Sequence, residues 1–157
     1  MLKRTLLATL LMAGLAATAT AADRGTATLT VAGKTITVDY GRPSLAGRDM
    51  LAKAPVGSEW RLGAGSPTSL NTKVDLDFSG KAVANGEYVL RARRDAEATW
   101  TLLVRKGEQT VAEVPLATSM LKESVEVLTL DLKPAAGGGE LVISWGTSAL
   151  SAKFGAK

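Results

Sequence analysis

The chain runs to 157 residues, with 19 Lys and Arg against 15 Asp and Glu, and with neither histidine nor cysteine. Lacking imidazole and thiol, it can build no Ser-His-Asp or Cys-His machinery, no zinc site of ordinary composition and no disulfide. Any catalysis would rest on carboxylates, Lys, Tyr or a Ser–Lys pair, and neither a metal nor a cofactor is expected.

The N-terminus has the pattern of a secretory signal peptide spanning residues 1–22. Lys3 and Arg4 form a basic start, Leu6 to Ala17 is apolar apart from Thr9 and Gly14, and Ala19-Thr20-Ala21 is a small-x-small cleavage pattern. Cleavage is expected after Ala21 or Ala22, giving a periplasmic or secreted protein. The apolar run is shorter than the roughly 20 residues a spanning helix needs, so no membrane span is expected after cleavage. Lipoprotein attachment would require a cysteine. Without Lys3 and Arg4 the basic count falls from 19 to 17 against 15 acids, which is close to neutral. With so little net charge and only seven aromatic residues to stack on bases, nucleic-acid binding is not expected.

Residues 23–157 are long enough for one domain with a real core. Thr26–Val31 and Thr35–Tyr40 alternate in polarity around the turn Ala32-Gly33-Lys34 and predict a hairpin. A long Gly- and Pro-bearing connection follows from Gly41 to Gly57, then a short strand at Ser58–Leu62 and a turn-rich stretch to Pro67. Ser69–Lys73, Val74–Phe78, Lys81–Val83 and Glu87–Arg93 read as strands. In the second of these Val74, Leu76 and Phe78 share one face and Asp75 and Asp77 the other. Thr99–Lys106, Ser124–Leu132, Glu140–Trp145 and Ser148–Phe154 complete the set, and Ala117–Glu123 is the best place for a helical turn. Short strands at close spacing predict an all-β fold, a single antiparallel β-sandwich or partly open barrel. An outer-membrane barrel would need longer strands and aromatic girdles.

Several stretches taken together carry a resemblance: VDYGRPSLAGR (Val38–Arg48), SEWRLGAGSPTSLNT (Ser58–Thr72), DLDFSGKAVANGEYVLRA (Asp75–Ala92), the Trp-bearing strand Thr99–Lys106, and LVISWGTSALSAKF (Leu141–Phe154). Their order resembles the bacterial domain family of unknown function DUF2911, whose members carry a YGRP…GR segment, a W-R-x-G-A motif and a G-x-Y-x-L strand. The resemblance implies a secreted or periplasmic β-domain and brings no activity with it. The Trp-Gly and Tyr-bearing insertion expected after the central Trp strand is missing between Gly107 and Met120.

Tyr40, Arg42, Arg48, Trp60 and Arg61 form the candidate ligand site. Three guanidiniums from two loops could accept a carboxylate, phosphate or acidic sugar, with Trp60 as a stacking wall. The structural reading, which is the favoured one, is that Arg42 and Arg61 pair with Asp39, Glu59 or loop carbonyls to pin the long connection, while Trp60 fills the core. Asp75 and Asp77 are expected as wet-face acids, since nothing around them has calcium-loop spacing. Ser119-Met120-Leu121-Lys122 matches S-x-x-K without its companion motifs, and Gly33-Lys34-Thr35 lacks the upstream glycine of a phosphate loop, position 28 being Thr28. The expected role is a binding or structural module of the periplasm or cell envelope, whose partner is an anionic small molecule or an envelope protein. The alternative is an enzyme that acts on an envelope carbohydrate or small acidic molecule through carboxylates and the loop arginines.

Overall fold

A computed structural model describes residues 23–157; the expected signal peptide and its expected cleavage site lie outside them. Ten strands and one short helix follow in the order β1 (Arg24–Val31), β2 (Lys34–Gly41), α1 (Met50–Lys53), β3 (Glu59–Trp60), β4 (Ser69–Thr72), β5 (Leu76–Phe78), β6 (Lys81–Val83), β7 (Gly86–Ala96), β8 (Thr99–Lys106), β9 (Gln109–Ala135) and β10 (Gly138–Ala156). All pairings are antiparallel, in the order β1-β2-β4-β7-β8-β9-β10-β5-β6, with β3 beside β7. The path does not close on itself, so the fold is an open β-sandwich.

β9 joins the two layers. Its first part, Gln109–Leu116, pairs with β8, and the stretch Thr129–Ala135 pairs with β10. Pro43–Leu45, within the long connection after β2, lies along the free edge of β9. Leu45 N donates to Glu126 O at 2.9 Å, and Leu128 N donates to Pro43 O at 3.0 Å. Much of a stretch that is irregular by composition is therefore zipped to a strand.

Period-two alternation sets the core. Ile36, Val38 and Tyr40 of β2, Tyr88, Leu90 and Ala92 of β7, Leu102 and Val104 of β8, and Leu128, Leu130 and Leu132 of β9 are all buried. Asp75 stays exposed and Asp77 half-buried opposite buried Val74, Leu76 and Phe78, as the pattern requires. Both acids pin turns: Asp75 accepts from the backbone N–H and side-chain amide of Asn85, and Asp77 accepts from Gly80 N.

Ala117–Glu123 is not helical. It is extended within β9 and partly paired, Ala117 to Met120 lying opposite Ser151 to Ser148. Each residue from Ala117 to Met120 is exposed, so a helix would have had no apolar stripe to bury, whereas the strand ladder supplies backbone partners at once. Among the described residues the one helical turn forms instead inside the long connection, at α1, where Asp49 accepts from Ala52 N at 3.3 Å. Glu140–Phe154 is also one strand and not two, with register shifts around Gly146.

Candidate functional site

β3 and β4 lie along the same edge of β7, β4 opposite Gly86–Val89 and β3 opposite Ala92–Arg93. Between them the chain leaves the sheet from Arg61 to Pro67. Thr68 closes the neck of this excursion: its buried hydroxyl donates to Leu62 O at 2.8 Å, and its carbonyl accepts from Leu90 N. Leu62 is fully buried at φ +55, a left-handed conformation that a branched side chain adopts only when its surroundings impose it. The loop is also pressed onto β2, since a methyl on Gly41 would overlap the Ala64 carbonyl.

This arrangement aims Trp60 at one end of the sandwich, where it meets the chain's other two tryptophans. Trp60 stacks on Trp145 of β10 with ring centroids 5.6 Å apart at 13°, and packs edge-on to Trp100 of β8 at 6.3 Å and 71°. Such pairs add about 0.5–1.5 kcal/mol each beyond the area they bury. Trp145 is fixed in turn by its indole N–H, which donates to Glu126 O at 3.2 Å.

α1 and its flanks form the facing wall. They are held by Arg94, a residue not singled out by the sequence analysis. Arg94 is 7% exposed, and its guanidinium donates to the carbonyls of Leu51, Ala52 and Ala54 on one side and of Ala96 and Glu97 on the other. It also lies 5.8 Å from the Trp100 ring centroid. A buried charge is tolerated only where its donors are satisfied, and here five carbonyls do so without any carboxylate. A signal for it existed in the sequence: Tyr88, Leu90 and Ala92 alternate inward, and the next inward position is 94. Asp49 ties the same wall to β10, accepting from Thr147 Oγ1 at 2.8 Å beside Gly146, whose φ of +62 suits glycine.

Between wall and tryptophans lies a cleft of about 300 Å³. Trp60, Trp100, Met50, Leu51 and Pro55 give it an apolar lining, and Lys53, Ser58 and Glu59 also line it, the Glu59 side chain turning away to the outer face of β7 that carries Arg91 and Arg93. Glu59 is already clamped: Oε1 accepts from Arg105 Nη2 at 2.8 Å, and Oε2 lies 3.3 Å from Arg91 Nε. That Arg91 N–H is close enough for charge attraction but not aligned to donate, and it has no hydrogen-bond partner. Ser58 Oγ donates to Pro55 O at 2.5 Å.

The structure distributes the sequence-predicted site residues as follows. Tyr40 is buried and Arg42 exposed, and both would meet a side chain placed on Gly25. Arg42 Nε donates to Leu128 O at 3.5 Å. Asp39 is taken by Arg24, and Glu59 by Arg91 and Arg105, so the acids expected to pair with Arg42 and Arg61 have other partners. Arg48 is exposed in the loop before α1. Arg61 lines a shallow depression with Pro67, Val89 and Arg91, separate from the lining of the tryptophan cleft, which contains Trp60.

Elsewhere the outer face of β7, β8 and β9 carries an ion-pair ladder in which Arg93 meets Asp95 and Glu113. The hydroxyl of Thr101 and then Arg93 hold the Asp95 carboxyl below the usual aspartate range, and the Asn85 backbone and side-chain amides do the same for Asp75. Among the described residues no group of three or more acids could hold a metal ion, and no helix is long and apolar enough to cross a membrane.

Fold and cleft together define an open β-sandwich domain with an aromatic hollow at one end. A family model described as a protein of unknown function, DUF2911, matches residues 22–154, and the chain belongs to that family. No curated protein and no solved structure matches the chain.

Proposed function

We propose that this protein is an exported binding module whose ligand occupies the tryptophan cleft. The observation that carries the reading is a preformed apolar hollow, with its tryptophans interlocked and its opposite wall stapled by a buried arginine. Small-molecule sites are concave and mostly apolar, with few polar groups, and an already rigid site loses less ordering entropy on binding. Binding is favoured over catalysis because Glu59, the one acidic residue in the lining, turns its carboxylate to Arg91 and Arg105 on the outer face and presents no free general base to the cleft. Of the five residues predicted from sequence, Trp60 enters this site, while Tyr40, Arg42, Arg48 and Arg61 stand outside its lining. The basic, apolar and small-residue order of residues 1–22 supports export.

Both parts can be tested. All three tryptophans form one cluster, so a ligand in the cleft should change intrinsic emission. A panel of aromatic and aliphatic acids, amines, alcohols and sugars should contain compounds that shift it in the native protein but not in Trp60→Ala. A folded protein whose emission responds to none of them would sink the reading. N-terminal sequencing of the protein from fractionated cells should give a start at Ala22 or Asp23. An intact Met1 start confined to the cytoplasm would overturn export.

A further inference from the structure

We propose that the tryptophan cleft accepts a small amphiphilic carboxylate, a single-ring aromatic acid or a short aliphatic one. The apolar part lies against Trp60 and Trp100, and the carboxylate meets Lys53. This rests on the reading of the cleft as a binding site and adds the chemistry of its ligand.

Size comes first. About 300 Å³ is at the lower end of the range for small-ligand sites, about 300–1,000 Å³, which suits one ring or a short chain better than a sterol or a polymer. Polarity comes next. A sugar needs several free hydrogen-bonding side chains, but the Ser58 hydroxyl proton is committed to Pro55 O and both Glu59 oxygens face arginines. With those groups engaged, a polyhydroxylated ligand would lose water without regaining its hydrogen bonds.

Charge then selects among apolar ligands. The cationic groups around the cleft are Lys53, Arg94 behind its wall, and Arg91 and Arg105 beyond Glu59. The acids beside them are Glu59, Asp49, which is bonded to Ala52 N and Thr147 Oγ1, and Glu97, whose carbonyl receives Arg94. Arg94 is met by carbonyls alone, so its charge is not cancelled by a carboxylate. Lys53 lines the cleft and enters no ion pair among the described residues. It is therefore the one lining charge with no ion-pair partner among the described residues, which favours an anion and opposes an amine of the same shape.

The test titrates the protein by tryptophan emission with 3-phenylpropionate, hexanoate, 3-phenylpropanol, 3-phenylpropylamine and cellobiose. 3-Phenylpropionate should bind about fivefold more tightly than its alcohol, and the amine more weakly than either; fivefold is the size expected of one exposed ion pair. Lys53→Glu replaces an attraction by a repulsion at an exposed position, where the fold is not at risk. It should weaken the carboxylates about tenfold and leave the alcohol unchanged. Raising salt should weaken the carboxylates alone. If the alcohol, amine or cellobiose binds as well as the carboxylates, or Lys53→Glu changes nothing, the carboxylate assignment fails and the cleft remains a binding site. If the response survives in Trp60→Ala, binding is elsewhere and both readings fall. If no compound binds the folded protein, both fall as well.

Discussion

Arg94→Met tests the claim that one buried guanidinium holds the cleft wall in place. Methionine keeps most of the stem that packs near Trp100 and removes every donor. A hydrogen bond from a charged donor is worth about 1.5–3 kcal/mol when broken singly, but the bonds here do not add independently. Leu51, Ala52 and Ala54 share Nη1, and the Ala96 and Glu97 carbonyls sit at an exposed turn where water can replace the donor. Removing a buried charge also recovers desolvation energy. The net loss should be about 2–3 kcal/mol, equivalent to a fall of roughly 10 °C in Tm for a domain of this size. Urea unfolding followed by tryptophan emission measures it. A second readout is local: trypsin should cut after Arg48 and Lys53 faster under native conditions, because α1 has lost its tether. Arg94→Lys should be intermediate, since an ammonium can reach one side of the site but not span both. A stability change under about 0.5 kcal/mol with unchanged trypsin cutting would refute the staple.

Further outcomes follow from the same geometry. Thr68→Val keeps the shape but removes the buried donor to Leu62 O, and should cost about 1–2 kcal/mol in chemical denaturation. A cost near zero would mean that the neck of the Arg61–Pro67 loop is held by packing alone. Gly41→Ala forces a methyl onto the Ala64 carbonyl and should cost about 2–3 kcal/mol. Gly33→Ala, in open space at φ +76, should cost about 1 kcal/mol from backbone conformation alone. Equal losses at the two glycines would contradict the close approach of β2 to the loop. Acid should destabilise the protein through Asp75 and Asp95, whose folded pKa values are depressed. Their contribution is complete above the unfolded aspartate value, near 4, and is lost as pH falls through the lower folded values. Asp75→Asn should flatten the stability–pH curve below about pH 4, and an unchanged slope would show that Asp75 contributes nothing there.

The sequence alone determined most of the strand segments and which of their side chains face the core, because period-two alternation is a local property that burial reinforces residue by residue. The β1–β2 hairpin, β5 through β8, and the outward Asp75 and Asp77 were legible for that reason. Ala117–Glu123 was not, because its extended form comes from ladder partners on β10 and leaves no mark on its own composition. The candidate site was legible only at Trp60. Arg42, Arg48 and Arg61 look convergent along the chain, but the partners of Asp39 and Glu59 are chosen by neighbouring strands: Arg24 across the hairpin, and Arg91 and Arg105 from β7 and β8. Arg94 occupies the inward register that Tyr88, Leu90 and Ala92 establish, yet an arginine there is credible only once the carbonyls of the distant segment Leu51–Ala54 are seen to join those of the adjacent turn around it. Trp60, Trp100 and Trp145 likewise come from segments up to 85 positions apart. Alternation can show that each tryptophan turns inward, but only the sheet order, with β3 on β7 and β10 across the sandwich, brings them to one end and opens a cleft beside them.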